Sequence, residues 1–216
     1  MKKKIVTITL LICLLAIAIT SACLTYFTDQ ESVDNVFTVG EVTITLDESK
    51  VTLDSRNHAV VGTERVTGDQ NYGQLYPCQQ IKKDPKITNT GSENAYVAAK
   101  VTITNQNGVT ESNKDLMAAL ISGGLLADTE NATVKTGIES GAYVIYILYH
   151  TEMTKDQSVV LFDTLSISKD YNNDQMAQLQ NLNIHVDAYA VQSIGFDNAK
   201  DALIAAFPTA LAALQQ

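Results

Sequence analysis

The chain has 216 residues, with 15 Lys and Arg against 24 Asp and Glu, 45% apolar residues, nine Tyr and no Trp. That length and composition suit one folded domain with a short appendage, and they exclude wholesale disorder and collagen-like architecture. The net charge of −9 is more negative still without the leader lysines Lys2, Lys3 and Lys4, which argues against nucleic acid as a partner: phosphates need cations to displace their counterions.

Met1-Lys2-Lys3-Lys4 is a basic start, residues 5–20 form an apolar run, and small residues Ser21, Ala22 and Cys23 follow. This is the layout of a secretory signal peptide, predicted here over residues 1–25 with the cut between Thr25 and Tyr26. Two other readings use the same residues. An uncut apolar run would anchor the chain in a membrane, and Thr20-Ser21-Ala22-Cys23 read as a lipobox would leave Cys23 acylated. Export predicts a secreted protein, in the extracellular matrix or at the cell surface. After the cut, Cys78 is the lone thiol and cannot form an internal disulfide.

Residues 26–36 are polar and read as an extended arm, with a single domain from 37 to 216. Val42-Thr43-Ile44-Thr45-Leu46 alternates aliphatic and polar residues, as a half-buried strand does. The same period recurs from Val97 to Thr104, where Val97, Ala99, Val101 and Ile103 share a face, and Asn107-Gly108 follows as a turn. Residues 113–121 read as a helix stopped at Gly123-Gly124. Residues 143–149 are apolar on both faces and predict a central strand; 159–168 continue the strand pattern. A short helix is expected near 174–179, a strand over 182–194 with Leu182, Ile184, Val186, Ala188 and Ala190 on one face, and a helix over 197–206 before Pro208. The order is not βαβ, so the expected fold is mainly β: an antiparallel sandwich or jelly roll with two or three short inserted helices.

No catalytic constellation emerges. A zinc peptidase places two His at i and i+4 around a Glu, and His58, His150 and His185 lack that spacing. They remain weak metal candidates, so neither a catalytic residue nor a cofactor is assigned. Cys78 has no adjacent His to activate it. Asp170-Tyr171-Asn172-Asn173-Asp174 has oxygen ligands without the Gly and Glu of a calcium loop.

The blocks Cys23-Leu24-Thr25-Tyr26-Phe27-Thr28-Asp29, Asn35-Val36-Phe37-Thr38-Val39-Gly40, Leu75-Tyr76-Pro77, Lys83-Asp84-Pro85-Lys86 and Gly195-Phe196-Asp197 resemble the camelysin/TasA family. The resemblance implies a jelly-roll protein of Gram-positive bacteria, exported through a dedicated signal peptidase of the SipW type. It also implies a role in biofilm matrix fibres, with the chain itself and other matrix proteins as partners. Camelysin-type members imply the alternative, a secreted zinc metalloendopeptidase; a cell-surface binding module is the third class. Two features depart from the family: Pro77-Cys78 stands where Pro-Gly is common, making a positive-φ turn there unexpected, and the closing block lacks Trp. Fibres follow physically if an extended segment joins a neighbour's open sheet edge. Val42, Ile44 and Leu46 are the assembly strand in that scheme, unless the segment pairs within its own subunit.

Overall fold

The structure is a computed structural model that describes residues 40–215. The predicted leader, the cut between Thr25 and Tyr26, Cys23 and the 26–36 arm lie outside the described residues.

The strands form three antiparallel sheets, which together make a β-sandwich with small helical inserts. The first carries β1 (Ile44–Leu53), β2 (Ala59–Val66), β4 (Lys86–Asn89) and β9 (Ser158–Val160) in the order β2-β1-β4-β9. The second is small: β3 (Gln80–Lys82), β10 (Thr164–Ser166) and β6 (Ile121–Ser122), with β10 central. The third runs β11-β5-β8-β7, from β5 (Ala95–Thr104), β7 (Ala132–Glu139), β8 (Ala142–Tyr149) and β11 (Asn183–Gln192). Inward residues of all three sheets meet in one core that includes Ile87, Val101, Ile121, Ile145, Phe162 and Leu165. Each such side chain contributes about 1.5–3 kcal/mol of burial.

The doubly apolar pattern of β8 has a direct cause. Tyr143, Ile145 and Ile147 enter the inner core, while Val144, Tyr146 and Leu148 enter a second core on the outer face. That outer core is roofed by α3 (Ala199–Ala206) through Ala199, Ala202 and Leu203, together with Leu211 and Leu214. α3 starts where Asn198 caps the Asp201 amide at 2.9 Å. α2 (Asn173–Gln178) opens with a capping box between Asn172 and Gln175, which uses up part of the oxygen-rich 170–174 stretch.

Two expectations are corrected. The helix predicted over 113–121 is α1 (Lys114–Ala118) only, because Ile121 is drawn into pairing with Leu165 of β10. Gly123 and Gly124 are therefore not a helix stop. They have φ of 82° and 53°, and a Cβ on Gly124 would lie 2.6 Å from the Val160 carbonyl. The single strand predicted over 159–168 is two, since the chain leaves β4 at β9 and joins β3 and β6 at β10. The crossing buries Leu161 and Phe162, and burial outweighs continuous pairing.

The positive-φ turn thought unfavourable for Cys78 also exists, with φ of 66°. Gln79, the next residue, is tied twice: its side chain accepts from the Tyr76 amide at 3.2 Å, and its carbonyl accepts from Ile167 at 2.8 Å. The left-handed conformation costs roughly 1–2 kcal/mol for a side chain with a Cβ.

Candidate functional site

The third sheet ends in two edge strands, β11 and β7. β11 pairs with β5 along all ten residues, from Asn183 opposite Thr104 to Gln192 opposite Ala95, and its other edge bonds to no strand of the described residues. Its inward side chains Ile184, Val186, Ala188 and Ala190 touch the core yet remain half-buried. Beside the start of this edge lies a groove of about 960 Å³, with Leu46, Val66, Tyr72 and Leu75 on the opposite wall. An unpaired edge presents free N–H and C=O groups, and the alternating apolar positions beside it form the seat an added strand needs.

The wall facing β11 is held by charge. Arg65 donates from Nε to Asp47, from Nη1 to Asp84 at 2.9 Å, and from Nη2 to the carbonyls of Asp47 and Asp84 at 2.9 Å each. Asp84, only 5% exposed, also accepts from the Ser49 amide at 2.8 Å and the Ser49 hydroxyl at 2.9 Å. Burial opposes ionisation of this carboxyl, but the bonds from Ser49, Lys82 and Arg65 outweigh it and hold Asp84 well below the usual carboxylate range. The Lys83 ammonium, buried, lies 2.8 Å from Glu48 and 4.6 Å from the centre of the Tyr72 ring. Burial first, and then Glu48, push the Tyr72 phenol well above its ordinary value.

Gln70 completes the wall. β1 bulges between Ser49 and Val51, which removes ladder partners there. The Gln70 side chain replaces them, accepting from the Val51 amide at 2.7 Å and donating to the Ser49 carbonyl at 2.8 Å. Gln70 thus ties the 67–75 segment, which lines one wall of the groove, to β1.

The chain enters this body at a different place. The Thr43 carbonyl accepts from Thr90 at 2.8 Å and Gly91 at 3.0 Å, and the Glu41 carbonyl accepts from Ser92 at 2.9 Å. Gly91 is required for that approach, since a Cβ would lie 2.3 Å from the Glu41 carbonyl. This root sits where β5 begins and β11 ends. The groove starts near Val186, which pairs with Val101, six residues along the strand. At ~3.3 Å per residue the two are ~20 Å apart.

Ile44 and Leu46 belong to β1 and pair with Asn89 and Ile87 of their own subunit, and both pack on its core. Val42 precedes β1 and is half-buried. The three histidines stay separate. His58 stacks on Tyr76 and faces Asp54 at 3.7 Å; His150 bonds Thr133 at 2.7 Å; His185 meets Asp187 at 3.2 Å. Glu152 turns from His150 toward Asn94, at 3.1 Å. Among the described residues no group of three or more His, Cys, Asp or Glu is placed to hold a metal ion, and no helix is long and apolar enough to cross a membrane. Cys78 is exposed and free.

No protein-family model matches this chain, and no curated protein matches it.

Proposed function

We propose that this chain is an exported structural protein of the TasA/camelysin type. It builds extracellular matrix fibres by laying the segment before Gly40 into the groove beside β11 of the next copy. One observation carries this reading: an unpaired ten-residue edge whose apolar face is half-covered, next to a groove of about 960 Å³. A segment added there gains main-chain hydrogen bonds from the β11 edge and covers Ile184 and Val186. The sequence before Gly40 offers Val33, Phe37 and Val39 on one face of an extended segment, interrupted by Asn35, with Asp34, Val36 and Thr38 on the other. Because Ile44 and Leu46 are already paired within their own subunit, they serve as the root and the donor lies before them.

The root and the groove occupy different places on one molecule, so the contact is heterologous, and it extends into a filament when its rotation does not close a ring. The leader supplies export and is removed by its signal peptidase before assembly, which frees Tyr26.

Negative-stain microscopy and sedimentation of the mature chain, with and without residues 26–36, test this reading. The expected result is filaments from the intact mature chain and monomers from the truncated one. If the truncated chain polymerises as readily, the segment is not the connector.

A further inference from the structure

We infer that successive copies make a second contact through the ends of the body: Ile194 and Phe196 of one copy seat on Leu53, Val60 and Tyr76 of the next. This deepens the head-to-tail reading above and rests on it for the direction of stacking.

The large apolar side chains left exposed among the described residues are these five, and they fall into two groups. Ile194 is 66% exposed and Phe196 36%, on a loop that turns through Gly195 at φ of 92°. The loop is fastened by the Ser193 amide donating to the Asn94 carbonyl at 3.0 Å. Asn94 adjoins Glu93, whose amide donates to the Glu41 carbonyl, so this group lies at the end where the N-terminal root is fastened. Leu53 and Val60 flank the tip of the β1–β2 hairpin, and Val60 is 51% exposed. Tyr76 joins them by stacking on His58, with ring centroids 4.7 Å apart. Ten residues of β1 separate the root from this tip, ~30 Å along the strand. Isolated exposed apolar residues need no explanation, but a segregation to opposite ends of one body is what a stacking contact requires.

Charge favours unlike ends meeting. The root end carries Glu41, Glu93, Glu152 and Asp197, none of which forms an ion pair among the described residues, against Lys155 and Lys200. At the hairpin tip the Asp54 carboxylate is turned onto the Arg56 and His58 amides at 2.8 and 2.9 Å. The exposed Arg56 guanidinium is left without an ion-pair partner among the described residues. Two root ends repel each other, whereas at the hairpin tip Arg56 balances Asp54 and no net charge opposes an acidic root end.

The test uses the mature chain from Tyr26, with sedimentation to find the lowest polymerising concentration and circular dichroism to confirm folding. Ile194→Asp with Phe196→Asp, and separately Val60→Asp with Tyr76→Asp, are each expected to raise that concentration on the order of tenfold, as loss of an apolar anchor does. An independent variant, Val60→Cys with Phe196→Cys in a Cys78→Ser background, is expected to give a ladder of covalent multimers on oxidation, with each single Cys variant giving none. Unchanged polymerisation by both Asp variants, or no ladder, overturns this contact and leaves the arm reading intact. Polymerisation by the 26–36 deletion that is still weakened by the Asp variants overturns the arm reading and supports this one. A mature chain that stays monomeric at every concentration overturns both.

Discussion

Asp84 is the residue on which the groove wall depends. Its carboxylate collects the Ser49 amide and hydroxyl, Arg65 Nη1 and Lys82, the last at 3.0 Å. Asp84→Ala leaves the Ser49 amide without its acceptor and Arg65 with Asp47 as its one remaining carboxylate partner. Removing one member of a buried pair costs roughly 3–5 kcal/mol, and since the Arg65 side chain is 25% exposed and Lys82 56%, both can be partly rehydrated, so the expected cost is about 3 kcal/mol. Asp84→Asn keeps the shape and one acceptor oxygen and should lose about half as much. Urea unfolding followed by tyrosine fluorescence reads this directly, because the chain has nine Tyr and no Trp. The pH dependence has a definite sign. The folded Asp84 carboxyl is held below its unfolded value, so it binds fewer protons when folded. Its contribution is complete above the ordinary carboxylate range, near pH ~4, and is lost as pH falls further toward the folded value. Asp84→Asn should therefore flatten the acid limb of the stability curve. A cost below about 1 kcal/mol for the Ala variant, or an unchanged acid limb for the Asn variant, would refute the wall as described.

Three further outcomes are expected. Cys78→Gly relieves the left-handed Cβ clash but adds unfolded-state freedom, for a net gain of roughly 0.5–1 kcal/mol by thermal melting; destabilisation would show that the thiol side chain packs favourably there. Phe162→Ala empties the fully buried sheet crossing and should cost about 3–5 kcal/mol in the same urea assay. Gly91→Ala forces a Cβ onto the Glu41 carbonyl, so hydrogen exchange at the Thr90, Gly91 and Ser92 amides should accelerate, while the β5 and β8 amides keep wild-type protection.

The central strands were legible because each carries its own pattern. In β5 the odd positions Val97 to Ile103 announce the inner face, and the doubly apolar 143–149 run announces a strand covered on both sides. The groove was not legible in this way. Nothing in Lys83-Asp84 distinguishes a buried ionic wall from a solvated pair; the hint was two charges placed between strand-like Gln79-Gln80-Ile81 and Ile87-Thr88, where a loop would be cheaper. Gln70, which stands in for a missing ladder partner across the β1 bulge, has no sequence signal at all.

The sequence by itself determined the fold class and the places of β1, β5, β8 and β11, with a strand pattern across β9 and β10, while β2, β3, β4, β6 and β7 were not read from it. Alternation and capping act within a few residues, and those forces are written locally. Tertiary structure alone decided where helix 113–121 ends, where strand 159–168 breaks, and why Cys78 turns left-handed. It also decided that Ile44 and Leu46 spend their pairing at home while β11 keeps an open edge. Each of these outcomes is a competition between a local preference and contacts made with residues far along the chain, and burial of side chains such as Phe162 and Ile121 settles that competition only once the sheets have met.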